Sequence, residues 1–208
     1  MSVVRGKKNK MNIFSKIISH LISIPARMKG MKFGKNSFIG PGYAVAPILK
    51  GVELGNNVVI GRSAWLDISR STKGAKIFFG DGTQAGRNLV VSACKEISIG
   101  KKCLLSYNIS IMDHDHNILD PDVSPLEGGI TEGKEVVIKD ECFIGAHSFI
   151  LKGVHLGRHC VVGANSVVTK SFPAYSVIAG SPAKLIRTLK QEENYEERTG
   201  DFRDHAGA

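Results

Sequence analysis

The chain has 208 residues, 23 glycines, 7% aromatic residues and a formal net charge of +9. This length suits one domain with terminal extensions, and no apolar run of about eighteen residues predicts a membrane-spanning helix. The positive charge is local, because residues 1–52 contain ten Lys or Arg and no acidic residue. No nucleic-acid-reading motif or aromatic stacking platform accompanies this charge, so we expect no nucleic-acid partner.

The first predicted element is an amphipathic helix within residues 11–24, as part of a basic N-terminal segment, 1–32. Lys16 and His20 interrupt the apolar region and no small-residue cleavage site follows, which argues against a signal peptide. Two interpretations stay open and are compatible with each other. The helix caps the open end of the domain that follows and covers its strand edges, or it lies on an anionic membrane surface. The apolar residues at helical spacing are Met11, Phe14, Ile17, Ile18, Leu21 and Ile22.

Large apolar residues then return at intervals of six, in short runs separated by irregular stretches. Neither an α-helix nor an ordinary strand has this period. It predicts a short extended segment followed by a corner, repeated, with the irregular stretches as loops that leave the repeat. The runs are Phe33 and Ile39; Leu54, Ile60 and Leu66; and Ile99, Leu105 and Ile111.

The next predicted element is a long loop, 113–137, which opens with Asp-His-Asp-His at residues 113–116. Loops of about twenty residues inside a compact domain are usually functional. The histidines at its base are candidates for a general base, since imidazole titrates near neutral pH. The alternatives are ordinary surface histidines or a metal site formed by alternating Asp and His.

The last third of the chain repeats in strict register. Glycine directly follows three of the aliphatic residues, and a small or thiol side chain often comes four places after them. This is the hexapeptide signature of a parallel β-helix, in which the aliphatic and small residues point inward. An antiparallel sandwich does not explain six aliphatic residues in register. They are Ile138, Ile144, Ile150, Leu156, Val162 and Val168.

Three of the four cysteines, Cys103, Cys142 and Cys160, fall at the small inward position of a repeat. A thiol there acts as a compact apolar filler. Cys94 lies outside a clean repeat. No CxxC spacing is present, so neither a zinc ribbon nor a redox pair is indicated. Free cysteines suggest a reducing compartment, and we expect a cytoplasmic protein.

Three segments together resemble the hexapeptide-repeat acyltransferases: Asp-His-Asp-His at 113–116, IGAHSFILKGVHLGRHCVVGANSVVTKSFPAYSVIAG at 144–180, and SPAKLIR at 181–187. They are most similar to the branch of galactoside, maltose and xenobiotic acetyltransferases and bacterial polysaccharide O-acetyltransferases. The resemblance implies an all-β fold, a left-handed parallel β-helix over residues 33–180. We expect a short C-terminal helix and tail over residues 181–208.

The resemblance also assigns roles on the catalytic and acceptor side. His114 aligns with the catalytic histidine, a general base for direct transfer of acetyl from acetyl-CoA to a sugar hydroxyl. His116 is an alternative base or a substrate contact. Asn88 lies near the position of an asparagine that contacts the sugar. No metal is expected, because the similar enzymes do this chemistry without one.

On the acetyl-CoA side, the resemblance implies a backbone N–H donor at Ala146 for the oxyanion. It implies phosphate contacts near the end of the repeat, where cationic side chains suit a polyanion. Plain corner packing for the alanines, and a solvated charge for Lys170, are the competing interpretations. The full set implied for acetyl-CoA is Phe143, Ala146, Ala164, Thr169, Lys170 and Arg187.

The sequence therefore predicts an acetyl-CoA-dependent O-acetyltransferase for a sugar or surface-polysaccharide precursor. The resemblance implies a homotrimer with active sites between subunits. The basic helix would suit lipid-linked acceptors at the inner membrane. One alternative is a γ-type carbonic anhydrase-like zinc enzyme that uses His147, His155 and His159, although no pair of these histidines has the five-residue separation of that family. The other alternative is a non-catalytic solenoid scaffold.

Overall fold

The computed structural model describes residues 13–45, 49–69 and 74–189. Residues 1–12 of the predicted N-terminal arm and residues 190–208 of the predicted C-terminal tail lie outside the described residues. The predicted amphipathic helix is confirmed as α1, Ile13–Met28. No helix in the described part of the chain is long and apolar enough to cross a bilayer.

Short strands follow α1 in chain order. The first ten are β1 (Lys32–Phe33), β2 (Phe38–Ile39), β3 (Ala44–Val45), β4 (Val52–Leu54), β5 (Val59–Ile60), β6 (Trp65–Ile68), β7 (Lys76–Phe79), β8 (Gln84–Ala85), β9 (Val90–Ala93) and β10 (Glu96–Ile99). The next ten are β11 (Leu104–Leu105), β12 (Ser110–Met112), β13 (Val136–Ile138), β14 (Phe143–Ile144), β15 (Phe149–Ile150), β16 (His155–Leu156), β17 (Val161–Val162), β18 (Val167–Val168), β19 (Ser176–Gly180) and β20 (Ala183–Thr188).

These strands form three sheets in which hydrogen-bonded neighbours lie three strands apart along the chain, except at the end of sheet B, where β19 pairs with β17 and β20. Sheet A has the order β1-β4-β7-β10-β13-β16, and sheet C has the order β3-β6-β9-β12-β15-β18. Sheet B has the order β2-β5-β8-β11-β14-β17-β19-β20. All pairs except β19 with β20 are parallel, so the chain winds through six coils of a β-solenoid. The predicted parallel β-helix is confirmed, and its left-handed sense remains an implication of the resemblance.

The core of the solenoid consists of the residues that the period of six selects. Ile144, Ile150 and Leu156 are each 0% exposed, as inward side chains of three successive strands. The small partners Cys142, Ser148, Cys160 and Ser166 are also buried. Only small groups fit beside the bulky ones because the interior is close-packed. The predicted role of Cys142 and Cys160 as fillers is therefore confirmed.

Each coil turns at three corners, which we name by the sheets that they join. At three positions of the A–B corner, a side chain of the next coil accepts a hydrogen bond from the backbone N–H group. The N–H of Lys35 donates to Asn56 Oδ1 (2.9 Å), that of Asn56 to Asp81 Oδ1 (2.7 Å) and that of Lys101 to Asp140 Oδ1 (2.7 Å). In the first, second and fourth coils the A–B corner is thus closed by hydrogen bonds between coils.

At the B–C corner the equivalent residues are Pro41, Arg62, Arg87, Tyr107, Ala146 and Ala164, one in each coil. Pro41 has no backbone N–H. For the other five residues, no group among the described residues accepts a hydrogen bond from the backbone N–H. The carbonyls at these positions do bond to the next coil, as in Asn165 N–H to Ala146 O (2.9 Å). The B–C corner therefore presents a column of free N–H donors along the solenoid.

Helix α1 caps the first coil, as one of the two interpretations predicts. Ser23 and Ala26 are fully buried against the solenoid. The hydroxyl of Tyr43 donates to Ile22 O (2.9 Å) and accepts from Ala26 N–H (3.2 Å). These contacts cover the strand edge at the start of the solenoid.

The predicted short C-terminal helix is wrong over residues 183–188, which form the antiparallel strand β20 beside β19. Gly180, with a φ of +105°, provides a turn that L side chains rarely adopt. The side chains of residues 184–188 are exposed, so this segment packs no apolar face against the core. Pairing with β19 satisfies the backbone instead.

Candidate active site

The long loop leaves the solenoid at the C–A corner of the fourth coil and spans residues 113–135, two residues shorter than predicted. Its base is held by hydrogen bonds between the outgoing and the returning chain. Lys134 N–H donates to Asp113 O (2.8 Å), and Thr131 N–H donates to Asp115 O (2.7 Å). The first residues of the loop are therefore fixed, although the loop itself extends into solvent.

A buried carboxylate orients the predicted base. His114 Nδ1 lies 2.8 Å from Asp113 Oδ1, and the Asp113 side chain is 0% exposed. The same carboxylate accepts hydrogen bonds from the N–H of Cys94 (2.8 Å) and of Lys95 (2.7 Å). Both donors lie at the C–A corner of the preceding coil, so two coils fix the position of Asp113.

The hydrogen bonds determine the charge of Asp113 and the tautomer of His114. Burial raises the pKa of Asp113, but the His114 ring and the N–H groups of Cys94 and Lys95 lower it by more, and the net pKa is below its usual value. An ionised carboxylate accepts only, so Nδ1 of His114 carries the proton and donates it. The lone pair of His114 then lies on Nε2, where it can accept a proton from a substrate.

Cys94 completes a cluster in which one ligand atom each of Cys94, Asp113 and His114 lies within 4.8 Å of the others. Burial raises the pKa of Cys94 to about 11, and the charge of Asp113 adds to this. A thiol with this pKa stays protonated at neutral pH, and the carboxylate already accepts the three hydrogen bonds described above. The close approach of Cys94, Asp113 and His114 is therefore explained by the hydrogen bonds that orient His114.

The other predicted residues of the loop behave differently. His116 is exposed, and its backbone forms a bridge to Ile130 across the loop. Asp115 Oδ2 lies 2.6 Å from Lys152 Nζ, which belongs to the C–A corner of the next coil. This ion pair attaches the loop to the fifth coil, in addition to the backbone bonds at its base.

The residues predicted to contact the pantetheine arm lie at the B–C corner. Ala146 and Ala164 occupy successive coils, and no described residue accepts from their N–H groups. A Cβ at Gly145, just before this corner position, would lie 2.5 Å from Ala164 N, so the two coils approach closely here. The small side chains leave the free N–H groups accessible along the corner.

The remaining predicted residues lie elsewhere. Thr169 and Lys170 are exposed at the C–A corner, two coils beyond His114, and Lys170 Nζ lies 5.7 Å from the centre of the Phe172 ring. Phe143 and Arg187 are exposed on sheet B. Asn88 is at the B–C corner of the third coil, where its Nδ2 donates to Asn108 Oδ1 (2.7 Å).

The structure thus divides the predicted site between two corners. His114 and Lys170 lie at the C–A corner, whereas Ala146 and Ala164 lie at the B–C corner, with the full width of sheet C between them. The chain does not bring the predicted base and the predicted oxyanion donor together within one solenoid.

Three contributions were missed by the sequence analysis: the orienting role of Asp113, its anchoring by the backbone at Cys94, and the ion pair of Lys152. The Asp-His-Asp-His run contained the first signal, because an acidic neighbour commonly orients a catalytic imidazole. The anchoring at Cys94 and the ion pair of Lys152 are contacts between different coils, and no local sequence pattern predicts them.

Comparisons with known proteins agree with this architecture. The family described as the hexapeptide repeat of succinyl-transferase matches residues 32–61 and 135–170. A protein of Escherichia coli K12 named for lipopolysaccharide biosynthesis O-acetyl transfer is 35% identical over 56% of this chain and 62% of its own length. A Mycobacterium tuberculosis protein named as an acetyltransferase is 32% identical over 72% of this chain and 49% of its own length. The chain thus spans about half to three fifths of these relatives.

A solved structure shows the same fold. The hexapeptide-repeat acetyltransferase of Vibrio cholerae O1, complexed with acetyl-CoA, is 26% identical, with a TM-score of 0.52 over 65% of this chain and 73% of that chain. The repeat, the solenoid and these relatives together show that the chain has the hexapeptide-repeat fold and is similar to acetyltransferases that contain it.

Proposed function

We propose that the chain is an acetyl-CoA-dependent O-acetyltransferase that acts on a hydroxyl of a sugar or surface-polysaccharide precursor. The observation that carries the proposal is the hydrogen bond of His114 Nδ1 to the buried Asp113 (2.8 Å). A histidine whose tautomer and orientation are fixed by a buried carboxylate has the arrangement of a general base. An ordinary surface histidine has no need of a carboxylate that is locked by backbone donors of another coil.

His114 acts on the acceptor in this proposal. Nε2 takes the proton of the attacking hydroxyl as its oxygen bonds to the acetyl carbon, and Asp113 stabilises the resulting imidazolium. The bond from carbon to sulfur breaks, and the imidazolium returns its proton to the leaving sulfur. Acetyl-CoA supplies the activated acetyl group as a thioester. The chain itself forms no covalent bond to the acetyl group.

The B–C corner fits the donor thioester. The free N–H of Ala146 can donate to the carbonyl oxygen as negative charge develops on it, and that of Ala164 can donate to an amide carbonyl of the pantetheine arm. Alanine at both positions keeps the approach open. The acetyl-CoA complex of the Vibrio cholerae neighbour supports the same donor for this chain.

The two halves of the site require two copies of the chain. The C–A corner of one solenoid, which carries His114, would face the B–C corner of the next, which carries Ala146. Such a head-to-tail contact closes into a ring, and three triangular prisms give a homotrimer. Each of the three grooves would then contain one complete site.

Mixing two inactive variants tests the shared site. We expect His114→Ala and Ala146→Trp to be inactive alone, since one lacks the base and the other blocks the donor corner. Co-refolded mixtures regain activity if the site lies between copies, because some interfaces combine an intact His114 with an intact Ala146. If mixtures stay inactive although mixed oligomers form, both residues act within one chain and the proposed assembly is wrong.

The acceptor class rests on the Escherichia coli relative, whose name places it in lipopolysaccharide biosynthesis. The direct experiment measures release of the CoA thiol from acetyl-CoA with a panel of neutral, acidic and phosphorylated saccharides. Mass spectrometry then identifies an O-acetylated product. Thiol release without an acetylated saccharide, or acetylation of an amine only, would contradict O-acetyl transfer.

The alternative zinc enzyme has less support from the geometry. His147 lies at the B–C corner, His155 on sheet A and His159 at the A–B corner, so one chain does not bring the three together. His155 and His159 lie beside Glu135 (3.3 Å) and Glu141 (3.7 Å), respectively. Each of these two histidines therefore has a carboxylate neighbour at the surface.

We also propose that α1 contacts an anionic membrane surface while it caps the solenoid, in a protein of the cytoplasm. Its outward face is apolar although it is exposed, and the surrounding N-terminal segment, 1–52, has ten basic and no acidic residues. A helix with an apolar face and basic flanks is suited to the headgroup region of anionic lipids. The exposed apolar residues are Ile17 (53%), Ile18 (39%), Leu21 (57%), Ile24 (39%) and Met28 (83%).

A further inference from the structure

The B–C corner changes character along the solenoid. In the second and third coils the corner residue is an arginine, Arg62 and Arg87. In the fourth coil it is Tyr107, and in the last two coils it is an alanine. Hydrogen bonds between coils hold the column in register, as in Asn88 N–H to Arg62 O (3.0 Å) and Asn108 N–H to Arg87 O (3.0 Å). The N-terminal half of this corner is therefore cationic, and the C-terminal half is small and neutral.

The two guanidinium groups are available to a ligand. Neither Arg62 nor Arg87 takes part in the ion pairs of the described residues, whose cations are other side chains. The Arg87 guanidinium carbon lies 5.0 Å from the centre of the Tyr107 ring, which orients it along the corner. The N–H groups of Arg62, Arg87 and Tyr107 are also free among the described residues. Guanidinium groups and free backbone donors in one place favour an anion.

A groove runs beside these residues over the outer face of sheet B. Its volume is about 520 Å³, and its floor includes Val59, Gln84 and the half-exposed Leu104. Leu104 pairs in register with Phe143 of the next coil, so the floor continues toward the part of the corner assigned to acetyl-CoA. The groove thus combines an apolar floor with a cationic wall, which suits a ring that bears a charged group.

The positions of the coils along the solenoid axis indicate that the groove binds the acceptor. This assignment rests on the proposed function. His114 and Tyr107 belong to the same coil, so the reacting atoms lie at the level of the fourth coil in a ring of aligned prisms. The alanines lie in coils five and six on one side of this level, and the arginines lie in coils two and three on the other. With a rise of about 4.8 Å per coil, Arg62 is roughly 19 Å from Ala164 along the axis.

We infer that the groove between Arg62, Arg87 and Tyr107 binds an anionic group, a phosphate or a carboxylate, carried by the acceptor sugar. The acceptor would lie with its ring over Leu104, its reacting hydroxyl toward the fourth coil and its anionic group between the two guanidinium groups. A neutral sugar makes no use of the cationic wall. The acceptor is therefore an acidic or phosphate-bearing saccharide.

Calorimetric titration of the full-length protein tests this inference without a turnover assay. The probes are glucose 1-phosphate, glucuronate and glucose, with CoA in separate titrations at the same ionic strength. The variants are Arg62→Gln and Arg87→Gln. Lys76→Gln is the matched control, since Lys76 is an exposed cation on sheet A, away from the groove.

We expect at least one anionic probe to bind the wild type at least about tenfold more tightly than glucose, and each arginine variant to lose about tenfold of that affinity. Lys76→Gln should bind as the wild type does, and all variants should keep their affinity for CoA. The anionic probe that binds better identifies phosphate or carboxylate as the preferred group.

Equal binding of glucose and both anionic probes, absence of anionic-probe binding, or an equal loss in Lys76→Gln would overturn the inference. A loss of CoA affinity in the arginine variants would also overturn it, because the groove would then hold the phosphates of CoA. Failure of the wild type to bind CoA would instead contradict the proposed function, and the titrations with the three sugars would still report on the groove.

Discussion

The carboxylate of Asp113 lies 2.8 Å from Nδ1 of its sequence neighbour His114, and the backbone of the preceding coil holds that carboxylate through Cys94 and Lys95. The imidazole is therefore positioned by the rigid solenoid and not by the long loop that begins there. A base fixed in this way needs little reorganisation when a substrate arrives.

Replacement of the Asp113 carboxylate should lower the catalytic rate while the protein still folds. Asp113→Asn presents an NH₂ group to a backbone N–H or to Nδ1, so one hydrogen bond is lost and the tautomer of His114 is no longer fixed. We expect kcat to fall by about 10²–10⁴-fold, with a loss of stability of about 1–3 kcal/mol. KM for acetyl-CoA should change little. The control Asp122→Asn, an exposed aspartate in the same loop, should match the wild type; an equal kcat in Asp113→Asn would refute the positioning role.

Acid should remove the stabilisation that Asp113 provides. Its pKa is lower in the folded protein than the ordinary value of 3.8, so the folded state is stabilised above that value and loses this contribution as the pH falls through the folded pKa. The difference in Tm between the wild type and Asp113→Asn should therefore be constant from pH 7 to about pH 5 and shrink below about pH 4. Thermal unfolding at steps of pH measures this. A difference that grows in acid would contradict the lowered pKa.

The cationic side chains near the end of the solenoid should act on the donor alone. We expect Lys170→Ala and Arg187→Ala to remove contacts to the phosphates of CoA and each to raise KM for acetyl-CoA by about tenfold, because a charge-assisted hydrogen bond is worth about 1.5–3 kcal/mol. KM for the acceptor should stay within about twofold. Initial rates with each substrate varied in turn provide the values, with Lys76→Ala as control. If KM for acetyl-CoA is unchanged in both variants, these residues do not belong to the phosphate site.

The exposed face of α1 should bind anionic vesicles. Ile17→Ser combined with Leu21→Ser removes two apolar side chains that are more than half exposed, so Tm should change much less than vesicle binding. Burial of such a side chain is worth about 1.5–3 kcal/mol, and we expect co-sedimentation with phosphatidylserine vesicles to weaken by at least about tenfold. Leu126→Ser is the control, because Leu126 is 92% exposed in the long loop. Undiminished binding by the double variant would leave α1 as a cap only.

The period of six predicted the parallel β-helix and its inward residues because the close-packed interior imposes the same choice of large and small groups in every coil. Ile144, Ile150 and Leu156 lie where the count places them. The segment 183–188 was predicted as a helix and is a strand. Its amino acids permit either structure, and the free edge of β19 decides between them through pairing across the chain.

The site could be predicted only in part. His114 could be identified from its local run, but the partners of Asp113 come from a corner that follows no repeat, and Cys94 gave no signal of its position. The free N–H groups of the B–C corner depend on contacts between coils, since at the A–B corner Asn56, Asp81 and Asp140 each accept a hydrogen bond from a backbone N–H of the preceding coil. Contacts of this kind depend on three-dimensional register and not on local composition.

The central claim is tested most directly by single-turnover acetyl transfer with His114→Ala and with His155→Gln as control. His155 is an exposed histidine on sheet A, paired with Glu135. We predict that His114→Ala transfers acetyl about 10²–10⁴-fold more slowly than the wild type while calorimetry shows unchanged CoA affinity, and that His155→Gln reacts at the wild-type rate. A His114→Ala protein that transfers acetyl at the wild-type rate would contradict the account.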